Sequence, residues 1–188
     1  MTDLLGPTPS QTVGPYLSLV LPWADGSDVV APGTAAMITI VGQLIDGTGN
    51  PVPDGLVEVW QADPEGRFNH ADDPRGAVVY ERFRGFGRCP TDERGRFVFH
   101  TLKPGALPDG AGGSEAPHIN VSTFARGLLN RVVTRMYFPD EPANDSDPVL
   151  STLTSDERRL LTAVVQADAT LRFDICLQGD HETPFFEI

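Results

Sequence analysis

Alternation of apolar and polar residues, interrupted by turn-forming residues, is the dominant pattern of this sequence. In the segment HINVSTFA, Ile119 and Val121 fall on one face of a predicted strand. His118, Asn120 and Ser122 fall on the other face, because successive side chains of a strand point to opposite sides of a sheet. Further strands are predicted within MITIVGQLID (37–46), GLVEVWQAD (55–63), RFVFHTL (96–102), NRVVTRMYF (130–138) and LRFDICLQG (171–179).

One helix is predicted, in the segment TSDERRLLTAVV. Thr154 and Glu157 have the spacing of a capping box, in which each side chain binds the backbone N–H of the other residue. Apolar residues then recur at helical spacing. The apolar stripe is expected to contain Leu160, Leu161, Val164 and Val165.

Many strands, many turns and one late helix predict a mostly β protein. We expect an antiparallel β-sandwich with long loops and one short helix in the C-terminal half, with a small barrel as the alternative. Residues 1–34 are rich in proline and glycine and lack periodicity, so they are predicted to form an N-terminal arm. Residues 35–188 are predicted to form the sandwich domain.

Charge and composition narrow the range of possible functions. The chain has 188 residues, a formal net charge of −12 and a pI of about 4.6, which disfavours nucleic acids and anionic membranes as partners. No apolar run reaches the ~20 residues that cross a bilayer, and the N-terminus lacks the basic and apolar regions of a signal peptide. We therefore expect a cytoplasmic protein in which Cys89 and Cys176 stay reduced.

Several histidines and arginines could have either a functional or a structural role. His70 lies in an acidic loop and favours a solvated position over a metal site, while His100 alternates with core residues and is expected to be structural. Arg126 and Arg135 lie on or beside apolar strands of an acidic protein. Each arginine could anchor a ligand carboxylate or form an internal ion pair, and the pattern favours neither.

Five long segments together resemble the intradiol ring-cleaving dioxygenase family. They are TPSQTVGPY (8–16), GQLIDGTGNPVPDGLVEVWQADPEGRFNH (42–70), GFGRCPTDERGRFVFHTLKPG (85–105), APHINVSTFARGLLNRVVTRMYF (116–138) and LRFDICLQGDHETPFFE (171–187). The resemblance covers nearly the whole chain and implies a β-sandwich with catalytic loops.

The resemblance also implies that a metal site has been lost. Catalytic chains of the family hold Fe³⁺ with two tyrosines and two histidines, and the matching positions here are Phe68, Leu107, His118 and Asn120. Only His118 keeps a ligand side chain, so no catalytic iron is expected in this chain. Glu115 stands where catalytic chains carry an arginine, which would disfavour developing negative charge.

A metal-free chain of this family implies a partner. The resemblance implies a homologous iron-binding β subunit, with Fe³⁺ held by that partner and none bound by this chain. The arm of residues 1–34 would then pack on the partner. By motif, Thr12, Gly14, Pro15, Tyr16 and Arg126 would bind the substrate in the partner's site, and this chain would contribute no catalytic residue of its own.

The implied reaction is cleavage of 3,4-dihydroxybenzoate by O₂ to 3-carboxy-cis,cis-muconate, in the catabolism of aromatic compounds. Two alternatives remain from the sequence. The chain could be a self-sufficient dioxygenase for a related catechol, or a non-enzymatic β-sandwich that acts as a scaffold.

Overall fold

A computed structural model describes residues 8–14 and 16–187. Eleven strands and two α-helices are present in this part of the chain. The strands are β1 (Ile38–Ile45), β2 (Leu56–Trp60), β3 (Phe86–Pro90), β4 (Arg96–Thr101), β5 (Leu107–Pro108), β6 (Ser114–Glu115), β7 (His118–Phe124), β8 (Val132–Tyr137), β9 (Val164–Val165), β10 (Leu171–Arg172) and β11 (Ile175–Cys176). The helices are α1 (Leu17–Val20) and α2 (Ser155–Leu161), and two 3₁₀ helices span Pro142–Ser146 and Leu150–Thr152.

Two sheets pack face to face and confirm the predicted sandwich. One sheet has the antiparallel order β3–β2–β7–β8, and in the other β1 pairs with β4 on one edge and with β10 and β11 on the opposite edge. The shared core lies between them because one face of each strand is apolar. Its buried side chains include Ile40, Val57, Val59, Phe97, Phe99, Ile119, Val121 and Met136.

The alternating segments form strands as predicted, with two differences. Strand β1 pairs in parallel, not antiparallel, with β10 and β11. The predicted strand at 171–179 is split into those two short strands. Between them the Asp174 carboxylate accepts the N–H of Gln43 at 3.0 Å, so a side chain replaces a ladder hydrogen bond.

The predicted helix begins as expected and ends early. Thr154 and Glu157 form the capping box, but α2 ends at Leu161. The next residues turn extended, and the N–H of Ala163 donates to the carbonyl of Tyr137 at 3.0 Å. The prediction that Val164 and Val165 lie on an apolar helical stripe is therefore wrong, because both side chains are exposed on β9.

The N-terminal segment contains a packed part and an exposed part. Val29 is fully buried, and its N–H donates to the carbonyl of His100 at 2.9 Å, so this part belongs to the sandwich. The part before it is apolar and exposed, and no described residue of α1 is buried. The exposed apolar side chains here are Val13, Tyr16, Leu19, Val20, Leu21 and Trp23. No helix in the described part of the chain is long and apolar enough to cross a membrane.

Candidate functional site

The side chain of His118 lies on the outer face of the four-stranded sheet, where the register determines its neighbours. His118 is opposite Tyr137, and Asn120 is opposite both Arg135 on β8 and Trp60 on β2. Residues directly opposite each other in an antiparallel pair share a face of the sheet. These five side chains therefore form one continuous surface at the end of the sheet where β7 begins.

The structure brings the four positions that the resemblance assigns to metal ligands to this surface. The ring of Phe68 stacks on Trp60, with centroids 5.6 Å apart and an interplanar angle of 5°. Leu107 is opposite Glu115 in the β5–β6 pair, and the Oε2 atom of Glu115 lies 3.6 Å from Nε2 of His118. The motif assignments thus identify one spatial cluster, although the segments that supply it are far apart in sequence.

A buried carboxylate fixes the loop that carries Phe68. Asp73 accepts the N–H of Phe68 at 2.6 Å and receives Nε and Nη2 of Arg75 at 2.9 and 2.7 Å. The hydrogen bonds from Arg75 hold the pKa of Asp73 well below its usual range. The guanidinium of Arg75 also lies over the Phe68 ring, 5.6 Å from its centroid. Phe68 is therefore held against Trp60 as a fixed aromatic wall.

Charged side chains fill the space around His118. Nη1 of Arg135 lies 3.1 Å from Oε2 of Glu115 and 3.5 Å from the hydroxyl of Tyr137. Burial raises the pKa of Tyr137 to about 12, so the phenol remains neutral. The observed ion pair between Arg135 and Glu115 favours the internal-pair alternative for this arginine.

His118 is neutral in this environment. Its Nδ1 lies 2.8 Å from the carbonyl of Ala116, and because a carbonyl only accepts, Nδ1 carries the proton. Burial first, and the nearby positive charge of Arg135 second, lower the pKa of His118 below its usual value. Nε2 is buried and has no hydrogen-bond partner among the described residues.

Asp147 belongs to the same cluster. It is fully buried, and the Tyr137 hydroxyl donates to its Oδ1 at 3.2 Å. The backbone N–H groups of Ala116, Val149 and Leu150 donate to the carboxylate at 2.8, 2.9 and 2.9 Å. Asp147 therefore links backbone groups that are near it in sequence to β6, β7 and β8, which are distant in sequence.

We call Glu115, His118, Arg135, Tyr137 and Asp147 the closed end of the sheet. The closed end and the neighbouring Phe68 and Leu107 do not fit a ferric ion, because Phe68 and Leu107 offer no donor atom and the guanidinium of Arg135 already supplies a positive charge beside His118. In the described part of the chain, no group of three His, Cys, Asp or Glu residues has a metal-binding arrangement.

The other predicted site residues lie at the opposite end of β7. His118 and Phe124 bound this strand, so its ends are separated by roughly 20 Å at ~3.3 Å per residue. Just beyond Phe124, Nε of Arg126 pairs with Oδ2 of Asp54 at 3.0 Å, and the Arg126 side chain is 64% exposed. An internal pair is thus present here too, but most of the guanidinium remains open to solvent.

The N-terminal arm reaches the same place. The Thr12 hydroxyl accepts the N–H of Gly127, the residue after Arg126, at 2.8 Å. Gly14 has φ of +66°, a left-handed conformation that favours glycine at this corner. Tyr16 is 73% exposed, and Pro15 lies outside the described residues. The structure thus places Thr12 beside Arg126; the binding roles of the five residues remain predictions. We call Thr12, Tyr16, Asp54, Arg126 and Gly127 the arm end.

Comparison with known proteins defines the class. A sequence profile of the family described as "Dioxygenase" matches residues 24–179. An intradiol ring-cleavage dioxygenase from Tetranychus urticae shares the fold with a TM-score of 0.64 at 17% identity, covering 95% of this chain and 98% of that one. The chain belongs to the intradiol ring-cleaving dioxygenase family.

Two relatives of matching length indicate the type of chain. This chain is 39% identical to the protocatechuate 3,4-dioxygenase alpha chain of Pseudomonas putida, over 98% of both chains. It is 41% identical to the alpha chain of Burkholderia cepacia, over 96% of this chain and 97% of that one. The beta chain of the same Burkholderia enzyme is 38% identical over 78% of this chain and 66% of its own length. Such enzymes therefore contain two homologous chains.

Proposed function

We propose that this chain is the alpha chain of a protocatechuate 3,4-dioxygenase and completes the active site of a homologous, iron-bearing beta chain. The observation that carries the proposal is the unsuitability of its own ligand positions for Fe³⁺, in a chain that resembles alpha chains over nearly its full length. The substrate is protocatechuate, which O₂ cleaves between the two hydroxyl-bearing carbons. The ferric ion and the ring-cleaving chemistry belong to the partner. We place the complex in the cytoplasm, where the free thiols of Cys89 and Cys176 would stay reduced.

The exposed arm supports association with a partner. Tyr16, Leu19 and Val20 are 73–74% exposed, although apolar side chains of this size gain roughly 1.5–3 kcal/mol each when they are fully buried. The chain carries no charged residue from Leu4 to Ala24, despite its net charge of −12. An uncharged, apolar and exposed segment is the composition expected of an arm that packs on another protein.

Arg126 supports a role in binding an anionic substrate. The net charge of −12 repels an anion at long range, but salt screens that repulsion beyond ~8 Å. A local guanidinium with open nitrogens can then attract the carboxylate of protocatechuate. Gly14 and Pro15 would form a rigid corner against the flat ring, and the Tyr16 hydroxyl would add a hydrogen bond. The arm would also exclude water from the partner's site.

Co-expression with the iron-bearing homologue tests this function. The two chains should co-purify and cleave protocatechuate, whereas this chain alone should be colourless, free of iron and inactive. A burgundy ferric–tyrosinate band and turnover from the chain alone would instead favour a self-sufficient dioxygenase. Failure to co-purify, together with no effect on the partner's activity, would favour a scaffold.

A further inference from the structure

Asp54 and Arg126 form an ion pair at the arm end, with Oδ2 of Asp54 3.0 Å from Nε of Arg126. Leu56 is opposite Phe124 at one end of the antiparallel β2–β7 pair, and Asp54 and Arg126 lie in the turns two residues beyond these positions. The pairing of β2 with β7 therefore brings the two turns together.

The backbone around Asp54 is held firmly. Thr91 is buried, and its hydroxyl accepts the N–H of Gly55 at 2.9 Å while donating to the carbonyl of Val52 at 2.6 Å. The N–H of Thr91 donates back to the carbonyl of Gly55 at 2.9 Å. These three hydrogen bonds fix the turn that carries Asp54. The Asp54 side chain is itself only 17% exposed, so burial restricts the movement of its carboxylate.

The contact uses Nε of Arg126 and leaves the two terminal nitrogens. In residues 8–14 and 16–187, Asp54 is the only carboxylate within ion-pair distance of Arg126. A guanidinium held by Nε can still present Nη1 and Nη2 as a fork, which matches the geometry of a second carboxylate. Holding one side of the fork also reduces the conformational entropy that Arg126 loses when a ligand binds.

We propose that Asp54 is a positioning residue, which orients Arg126 so that its terminal nitrogens receive the carboxylate of the aromatic substrate. The inference rests on the proposed function and adds a residue to it. The pair joins an open guanidinium to a largely buried carboxylate whose Oδ1 has no hydrogen-bond partner among the described residues, so removing that carboxylate should cost the fold little. The orientation of the arginine is the property that Asp54 controls.

The test is a double-mutant cycle in the co-expressed complex. Asp54→Ala, Arg126→Ala and the double variant are compared by KM and kcat for protocatechuate. Arg126→Ala should raise KM about tenfold, the effect of losing one charge-assisted contact of ~1.4 kcal/mol. Asp54→Ala should raise KM about threefold with kcat nearly unchanged. The double variant should match Arg126→Ala alone, because Asp54 acts only through that arginine.

Conservative and control variants separate positioning from folding. Asp54→Glu keeps the negative charge that pairs with Arg126, so its KM should lie closer to wild type than that of Asp54→Ala. Asp156→Ala removes a similar acid from the exposed Arg159 pair on α2 and should leave KM unchanged. The urea midpoint of the isolated chain should be the same for Asp54→Ala and wild type.

Each outcome bears on one of the two claims. An unchanged or lower KM in Asp54→Ala, while Arg126→Ala raises it, overturns the positioning role and leaves the proposed function intact. Additive effects in the double variant also overturn it, because Asp54 would then act independently of Arg126. An unchanged KM in Arg126→Ala removes that arginine from the substrate site, which is a failure of the proposed function itself.

Discussion

The two ends of β7 present opposite ways of using charged and polar residues. At the closed end, Arg135 and Glu115 are each 20% exposed and pair with each other, and Asp147 is fully buried with four hydrogen bonds. At the arm end, Arg126 is 64% exposed and Tyr16 is 73% exposed. The carboxylates and the guanidinium of the closed end are paired within the chain, whereas the arm end leaves donors and apolar surface open.

The two ends of β7 therefore differ in whether their charged groups are paired within the chain or left open to solvent. The motif resemblance predicts that the closed end corresponds to the metal site of catalytic chains, and its side chains here pair with one another where β6, β7 and β8 meet. The exposed side chains of the arm end contribute little to the stability of the isolated chain. Substitutions at the closed end should therefore change stability, and substitutions at the arm end should change assembly or substrate binding.

Asp147→Ala should have the largest effect on stability. It leaves the buried N–H groups of Ala116, Val149 and Leu150 without an acceptor, at a cost of ~1–3 kcal/mol each. We expect a loss of about 4 kcal/mol in the urea-unfolding free energy of the isolated chain. Asp145→Ala, at an exposed position nearby, should change it by less than about 0.5 kcal/mol. Similar values for both variants would contradict the hydrogen-bonding role.

Arg135→Met should have the next largest effect on stability. It leaves Glu115 partly buried without its cation, and we expect a loss of about 2 kcal/mol in the same assay. Adding Glu115→Leu should recover most of the loss, because the remaining carboxylate is then removed as well. If the double variant is less stable than Arg135→Met alone, the ion pair is not what stabilises this end.

The double substitution Leu19→Ser and Val20→Ser should act on assembly alone. Both side chains are 74% exposed in the chain, so its unfolding free energy should stay within about 0.5 kcal/mol of wild type. If the arm packs on the partner, the lost apolar burial should weaken association at least tenfold, as measured by titration calorimetry. Equal affinity would show that this part of the arm does not contact the partner.

Asp73→Asn should give a smaller effect that depends on pH. Arg75 lowers the pKa of Asp73 in the folded chain, so the ionised carboxylate contributes stability above its unfolded pKa of ~3.9. That contribution disappears as the pH falls through the lower, folded pKa. Wild type should therefore exceed Asp73→Asn by about 1 kcal/mol at pH 6, and the two should converge in strong acid. A constant difference would contradict the linkage.

The alternation of apolar and polar residues predicts the main strands, because this alternation depends only on neighbouring positions in the sequence. Strands β1, β2, β4, β7 and β8 lie where apolar and polar residues alternate. The C-terminal limit of α2 was not predictable in this way. It depends on a hydrogen bond between Ala163 and Tyr137, which are distant in sequence and meet only after the sheet has formed.

The candidate site, too, was predictable from the sequence only in part. Phe68, Leu107, His118 and Asn120, which were singled out by motif, lie in one cluster, while their role as former ligand positions stays a prediction. Their replacement contacts were not visible, because Glu115 on β6 and Arg135 on β8 are distant in sequence and meet only in the folded chain. Asp54 was missed for a similar reason, since its turn meets that of Arg126 only when β2 and β7 pair.

The most direct measurement compares two arginines in the assembled enzyme. KM for protocatechuate and iron content are determined for Arg126→Ala and for Arg135→Met, with wild type as the reference. We expect Arg126→Ala to raise KM about tenfold and Arg135→Met to leave it unchanged, with equal iron content in all three. A normal KM in Arg126→Ala, or loss of iron in Arg135→Met, would contradict the division between the arm end and the closed end.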